Sequence, residues 1–454
     1  MNTIGQLQDW HRWVGQWWET PSVWQAKAGF SLWHRRWHLI VGVGLIIGVV
    51  LISWQYYQKI LTPDEAGRQT RSAFLRWRSM IHDLFAGGNI YVGRQEYPNP
   101  PIMAIILWPF AALPPLTGAL AWLYTKIVLA LIAIRWCLWL AQPPHLSPLG
   151  HLTAVSLAIP ALIGDLSHNN VNIFIFFLVA GCLECCRRHC DVAAGLSLAL
   201  AISCKLTPLL FVPYFLWKKA WRLLLGCGVG LGLWLLVIPA GVFGWERNSQ
   251  LLTDWYRLMV ERPLIKGEIT SEHPNQSLVG WTYRLFTDSP SFVRYVPTVE
   301  GDMPVPAAYH NVIHLPANVV WILTKVYGVT FVLLMMLLCR TPDAERSGWR
   351  RLAEYAWIIL GMLLLSERTW KHHAVTLVIP GVALAAAFAN GVGTPQLRRA
   401  LGGMLILALL LMVIPALCGR HTQDLALVYG SHTAAFVLLA VAIACVLRRS
   451  TIDK

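Results

Sequence analysis

The sequence is poor in charge and lacks the short motifs of soluble nucleotide chemistry. Only 13% of its 454 residues are charged, about half the usual share of a soluble domain. It contains no Asp-x-Asp pair for a metal-bound nucleotide sugar, no GxxxxGK[ST] loop and no GxGxxG after a predicted strand. These absences exclude an ordinary water-soluble enzyme and argue against soluble nucleotide donors and ATP hydrolysis.

Cysteine is also too dilute to organise the fold, with ten residues in the whole chain. Cys182, Cys185, Cys186 and Cys190 crowd the end of one apolar segment, but no second ligand pair follows them. A structural zinc site needs four such ligands. The sequence therefore predicts no metal site and no cofactor.

Apolar residues are abundant instead, at 56% of the chain, and the mean hydropathy is +0.51. Thirteen apolar segments recur along the sequence, although several are shorter than the ~20 residues of a straight span. Membrane strands would alternate apolar and polar residues, which these segments do not do. We therefore predict an all-α fold, a polytopic transmembrane helical bundle with about 11–13 membrane segments.

The net charge of +14 resides largely in basic clusters beside the apolar segments. Such clusters mark cytoplasmic loops, so no nucleic-acid partner is predicted. The same rule places two long polar loops, about residues 58–101 and 243–314, on the outer side. We predict a cytoplasmic or interfacial segment at 1–38, a transmembrane domain at 39–449 and a cytoplasmic tail at 450–454, in a multi-pass protein of the cell membrane.

Proline crowds residues 98–116, between the first outer loop and the next long apolar run. Proline removes a helical hydrogen bond and breaks the ladder. A half-crossing or re-entrant element is expected here, and a miscounted span is the alternative.

Polar groups at membrane depth are costly and usually have a task. In the first outer loop, Asp64, Glu65 and Asp83 are candidates for a general base, which takes the proton from an attacking hydroxyl. Tyr97 and Asn99 close this loop and are candidate substrate contacts. The alternative is an ordinary solvated loop.

Two further polar positions interrupt apolar runs. The residues of one turn, Asp165, His168, Asn169 and Asn170, suit hydrogen bonds to a sugar or phosphate, or alternatively cap a helix. The other position is Lys205, whose ammonium is expensive inside an apolar run. It is expected to meet a lipid phosphate, or else to pair with a neighbouring carboxylate.

The last two stretches lie in predicted outer loops. Asn275, Gln276 and Arg284 suit a hydroxyl-rich ligand, because each amide offers a donor and an acceptor; a capped helix start is the alternative. Lys371, His372 and His373 lie between two spans, where a histidine pair can bind phosphate or relay a proton.

These stretches together resemble one family. In chain order the resembling motifs are Gly88-x-x-Tyr91, Tyr97-Pro98-Asn99-Pro100-Pro101, Trp108 to Pro114, the Asp165–Asn172 turn, Ala194 to Ala199 with Lys205-Leu206-Thr207-Pro208, Asn275-Gln276-Ser277 with Arg284, and Trp370-Lys371-His372-His373. Over roughly residues 60–390 the sequence resembles the polyprenol-phosphate-mannose-dependent mannosyltransferases of glycosyltransferase family 87.

The resemblance implies a GT-C membrane fold and an inverting, metal-independent transfer of a sugar, mannose in this family, to an acceptor hydroxyl. It implies a polyprenyl-phosphate sugar donor, a glycolipid or glycan acceptor and membrane lipids as partners. His373, or alternatively His372, fits the family's donor-side histidine. In the family an Asp acts as the catalytic base. Its position corresponds to the region near Phe74, where this sequence has no acidic residue, so Asp64, Glu65 and Asp83 are the candidates for the base.

Two other functions share some of these features. A transporter or flippase of lipid-linked saccharide would also carry intramembrane cations and broken helices, but such proteins often show internal repeats, and none is evident here. A catalytically silent relative is the third interpretation, because the expected Asp is missing. Donor-dependent glycan extension distinguishes the enzyme from both.

Overall fold

The computed structural model describes residues 32–61, 72–92, 97–141, 146, 148–298 and 301–452. Asp64 and Glu65, two predicted catalytic residues, lie outside these ranges, as does most of the predicted 1–38 segment. The chain divides after Tyr57 into two compact units. The residues considered below belong to the second unit, Gln58–Lys454.

Helices form most of the described chain. They are α1 (Leu32–Leu61), α2 (Ala73–Phe85), α3 (Pro101–Ala111), α4 (Pro115–Leu140), α5 (Pro148–Ser156), α6 (Ile159–His168), α7 (Asn172–Arg187), α8 (Asp191–Cys204), α9 (Thr207–Trp217), α10 (Trp221–Phe243), α11 (Trp245–Tyr256), α12 (Leu278–Phe286), α13 (Ala317–Leu338), α14 (Trp349–Leu364), α15 (Lys371–Ala389), α16 (Pro395–Leu417), α17 (Arg420–Val428) and α18 (Ser431–Ile452). A π-helical segment, Arg257–Ile265, continues α11. One antiparallel hairpin, β1 (Phe292–Thr298) with β2 (Gly301–Ala308), lies among the helices. The predicted all-α class is confirmed, with this small hairpin as an unpredicted addition.

Within the described ranges, seven helices are long and apolar enough to cross a membrane, or eight if the bent pair α5 and α6 forms one span. They are α1 from Gly42, α4, α10, α13, α15, α16 and α18. The chain is a multi-pass membrane protein. Fewer helices qualify than the 11–13 segments expected from sequence, because several apolar segments fold as shorter helices, among them α3, α8 and α9.

The proline-rich region 98–116 folds as the short helix α3. Eleven residues make a helix about 16 Å long, roughly half the thickness of a bilayer core. Pro101 opens α3 and Pro115 opens α4, positions where the missing N–H is not needed. A half-crossing α3 stays a prediction.

Close backbone contact joins α8 to α10. A Cβ atom on Gly195 would overlap the backbone of Leu223, Gly226 and Cys227, and one on Gly226 would overlap that of Val192. Glycine at both positions lets the two helices touch. This contact fixes α8, whose end carries Lys205.

The predicted cytoplasmic loops meet at one end of the bundle. Lys218 Nζ lies 2.9 Å from the buried carboxylate of Glu354, which also accepts hydrogen bonds from Tyr214 Oη and Arg351 Nη1. Arg346 Nη1 lies 2.6 Å from Asp191 Oδ1. We refer to the group formed by Tyr214, Lys218, Arg351 and Glu354 as the ionic clamp. Its position is expected if these basic loops share one side of the membrane.

Candidate functional site

Three of the five polar stretches come together in space. The turn between α6 and α7, the corner between α8 and α9, and the start of α15 contribute Asn172, Lys205 and His373 to the wall of a single cleft. The cleft wall also contains Ile175, Thr207, Met362, Leu363, Ser366, Thr369 and Thr376. One cation and one imidazole thus share a pocket with apolar side chains and hydroxyl groups.

Lys205 is held in an extended conformation between two helices. Its φ of −156° ends α8, and the short helical turn at Thr207 begins α9. The ammonium donates to Asn172 Oδ1 at 2.6 Å. Lys205 is therefore a positioned cation at the cleft wall, and the carboxylate expected as its alternative partner is reached only through Asn172.

Asp165 lies behind the cleft. It is fully buried, and Lys126, which the sequence analysis passed over, lies 3.2 Å from its Oδ2. Its Oδ1 accepts from the side-chain Nδ2 of Asn172 at 2.9 Å. Both carboxylate oxygens have partners inside the protein.

The neighbouring residues of the turn also have internal partners. Asn169 adopts the left-handed conformation with φ of 52°, and its side chain donates to Ala119 O. His168 Nδ1 lies 3.2 Å from Lys59 Nζ, which donates to Ser167 O. The turn that caps α6 thus also aligns the polar groups behind the cleft.

The two candidate histidines point in different directions. His373 lines the cleft, and its Nδ1 accepts from the backbone N–H of Trp370 at 3.3 Å. His372 Nε2 lies 3.1 Å from Asn170 Nδ2, and its ring is 5.3 Å from that of His168. Of the two histidines, His373 is the one in the cleft wall. Lys371, beside them, is half-buried and is not among the cleft residues.

The described carboxylates near these loops differ in their surroundings. Asp83 is exposed on α2. Glu367, which follows the cleft residue Ser366, has a pKa raised by burial, an effect opposed by the positive charges of Arg368 and Lys205. Glu367 was not among the residues selected from the sequence. A glutamate beside two candidate histidines was the available signal.

Tyr97 and Asn99 are buried at the entrance to α3 rather than in the cleft wall. Tyr97 packs edge-on against Trp77, and Tyr91 Oη donates to Asn99 O at 2.8 Å. Trp255 Nε1 donates to the intervening Pro98 O. These contacts shape the backbone that leads into α3.

Asn275, Gln276 and Arg284 form a fully buried brace. The nitrogens of the Arg284 guanidinium donate to the carbonyls of Ser271, Glu272, Asn275, Leu427 and Val428. Asn275 Nδ2 donates to Glu367 O, and Asn275 Oδ1 accepts from Thr369 N. The three residues predicted as substrate contacts thus hold the loop that carries part of the cleft wall, and we place them behind the site.

Within the described ranges, no group of three or more His, Cys, Asp and Glu side chains is arranged to hold a metal ion. The ten cysteines are free thiols. Lys205 contributes an ammonium to the cleft wall.

The fold and the cleft define a membrane protein with a positively charged polar site among apolar walls. The model of glycosyltransferase family 87 matches residues 97–367, more than half of the chain, so the chain belongs to that family. It is a membrane glycosyltransferase, and the enzyme class predicted from sequence is confirmed.

Solved structures give a weaker likeness. The chain is similar to ArnT from Cupriavidus metallidurans bound to undecaprenyl phosphate, with 12% identity, a TM-score of 0.39 and coverage of 90% of this chain and 77% of that one. The apo state of ArnT gives 13% identity, a TM-score of 0.35 and coverage of 90% and 78%. A search of curated proteins found no match.

Proposed function

We propose that this glycosyltransferase transfers a sugar, mannose by its resemblance to characterised members of the family, from a polyprenyl-phosphate donor to an acceptor hydroxyl. The observation that carries the proposal is the presence of Lys205 and His373 in one cleft beside Ile175, Met362 and Leu363. A lipid phosphate needs a cation for its charge and apolar surface for its chain. The cleft combines the two.

The reaction is a displacement at the anomeric carbon of the sugar. The acceptor oxygen forms a bond to this carbon as the bond to the phosphate oxygen breaks, which inverts the configuration. The acceptor proton passes to a base, and the polyprenyl phosphate leaves with the electron pair. Lys205 and His373 stabilise the charge that develops on this phosphate, an electrostatic task that needs no metal ion.

Asp64 or Glu65 is proposed as the base, as the sequence predicts, with Asp83 as a further candidate. The cleft adds Glu367 to this set, because its loop lines the site and its raised pKa suits proton uptake. Four single substitutions, D64N, E65Q, D83N and E367Q, test the assignment. Loss of the base should lower the rate by about 10²–10⁴-fold, and full activity in all four variants would contradict every assignment.

The experiment is transfer of radiolabelled mannose from polyprenyl-phosphate mannose to a glycan acceptor by the purified full-length protein. Lys205→Met should lower kcat/KM by about 10²–10³-fold. Lys219→Met, which removes an exposed lysine between α9 and α10, is the matched control and should retain activity. No transfer by the wild-type protein with any lipid-phosphate sugar would overturn the proposal and favour a silent relative.

A further inference from the structure

Lys126 is a fully buried cation within the long membrane helix α4. A charge at that depth is expensive unless it is paired. Its ammonium lies 3.2 Å from Asp165 Oδ2 and donates to Asp165 O at 3.0 Å. Lys126 therefore connects α4 to both the side chain and the backbone carbonyl of Asp165 on α6, directly behind the cleft.

The hydrogen bonds continue from Asp165 to the cleft wall. Asp165 Oδ1 accepts from Asn172 N at 3.2 Å and from Asn172 Nδ2 at 2.9 Å. Asn172 Oδ1 then accepts from Lys205 Nζ at 2.6 Å. Lys126, Asp165, Asn172 and Lys205 thus form a continuous chain of contacts from a membrane helix to the site.

The charges at both ends fix the orientation of the Asn172 amide. In the observed orientation its NH₂ group faces a carboxylate and its oxygen faces an ammonium. The reversed amide would place NH₂ against the ammonium of Lys205 and oxygen against the carboxylate of Asp165. Both contacts would then be repulsive. The ammonium of Lys205 by itself selects the amide oxygen, and the carboxylate of Asp165 reinforces this orientation.

The chain holds two positive charges and one negative charge. The contact with Lys126 compensates the charge of Asp165, so the charge of Lys205 is available to an anion in the cleft. Without Lys126, the carboxylate would be buried and unpaired, and Lys205 would be the remaining cation near it. Removal of the Lys126 side chain would therefore weaken anion binding at Lys205, although Lys126 itself does not contact the anion.

We propose that Lys126 is a positioning residue: with Asp165 it forms a buried charge pair that, through Asn172, holds Lys205 ready for the anionic phosphate of the donor. This inference rests on the proposed function, since it assumes that the phosphate binds at Lys205.

The test compares donor KM and kcat for three purified full-length variants. Lys126→Met should raise the KM for polyprenyl-phosphate mannose at least tenfold, with a smaller change in kcat. The double variant K126M/D165N removes both buried charges and should return KM to within about threefold of wild type. Glu354→Gln, in the distant ionic clamp, is the control for a lost buried charge and should leave KM unchanged while lowering thermal stability.

Binding without catalysis gives a second readout if Lys126→Met is poorly active. Stabilisation of the wild-type protein against heat by undecaprenyl phosphate should be lost in Lys126→Met and restored in K126M/D165N. An unchanged KM in Lys126→Met, or a double variant as impaired as the single, would overturn the inference. If Lys205→Met lowers transfer as proposed while Lys126→Met does not affect KM, only the positioning role fails.

Discussion

Buried and half-buried polar side chains in this protein divide into those that face the cleft and those that hold the cleft in shape. Lys205 and His373 belong to the first group, whereas Asp165, Asn275 and Arg284 direct their polar atoms to internal partners. A buried polar group without its partner costs about 1–3 kcal/mol. Substitution in the second group should therefore lower the stability of the fold before it affects the chemistry.

Arg284→Lys tests this distinction. Burial lowers the pKa of Arg284 to about 10, so the side chain is still charged at neutral pH. A lysine ammonium cannot reproduce the planar fork that serves five carbonyls, and the loss should be about 2–5 kcal/mol in the free energy of unfolding. The thermal unfolding midpoint in detergent measures it. Arg257→Lys, at a mostly exposed arginine, is the control, and equal midpoints for the two variants would contradict the bracing role.

Sequence alone could identify these residues but could not divide them into the two groups. Polar side chains in apolar surroundings are visible in the chain, yet their direction depends on distant partners, such as the contact between Asn275 and Glu367 O. Lys126 escaped notice because a single lysine hardly changes the hydropathy of a 26-residue helix. Its depth within that span was the usable signal.

At the scale of elements, hydropathy predicted the long spans and missed the structure of the polar loops. The loop at 243–314 contains α11, α12 and the β1–β2 hairpin, whose apolar residues are too few and too scattered to show a period. The bend of 50° between α5 and α6 lies within a continuous apolar run, where Pro160 in the first turn of α6 was the local signal.

Helix packing gives a matched pair of glycine substitutions. Gly195→Ala should force α8 away from α10, because the new Cβ would overlap backbone atoms of three residues. We expect a loss of at least 1–3 kcal/mol, roughly the cost of overpacking. Gly228→Ala, on α10, meets no atom within 4 Å and should be neutral or stabilising, since alanine favours a helix. Unfolding midpoints compare the two, and a tolerated Gly195→Ala would show that the helices are less tightly joined.

The loop before α12 should be sensitive to acid through His273. Its ring lies 3.5 Å from Asp424 on α17 and 3.3 Å from Ser291 O. Burial is the main cause of the lowered pKa of His273. The positive charge of Arg284 lowers this pKa further, whereas the negative charges of Asp424 and Glu272 raise it. The unfolded chain then binds more protons below pH 6.5, the ordinary pKa of histidine, so stability contributed by the neutral ring falls as the pH drops from that value.

His273→Gln should remove this part of the pH dependence. As the pH is lowered from 8 to 5, the unfolding midpoint of the wild-type protein should fall more than that of the variant. His421→Gln, at an exposed position on α17, controls for the loss of any histidine. A difference that does not change with pH would count against a buried neutral His273.

At the scale of the whole molecule, the ionic clamp and the Lys126–Asp165 pair are two buried charged groups at different places along the bundle. The ionic clamp joins α9 to α14, and the opposite ends of these two helices contribute Thr207, Met362 and Leu363 to the cleft. Rigid helices thus connect the loops predicted to be cytoplasmic with a site predicted to be on the outer side. The side of the membrane on which the cleft opens therefore depends on the orientation of the whole chain.

Cys418 is a native reporter of that orientation. It is the exposed cysteine among the ten, and it lies between α16 and α17, on the predicted outer side because Arg398 and Arg399 at the start of α16 are expected to be cytoplasmic. A membrane-impermeant maleimide should label it in intact cells, and Cys418→Ser should abolish the label. In that background, Arg340→Cys, in a predicted cytoplasmic loop, should react only after permeabilisation. The opposite pattern would show that the bundle is inserted the other way, and the cleft would then open to the cytoplasm.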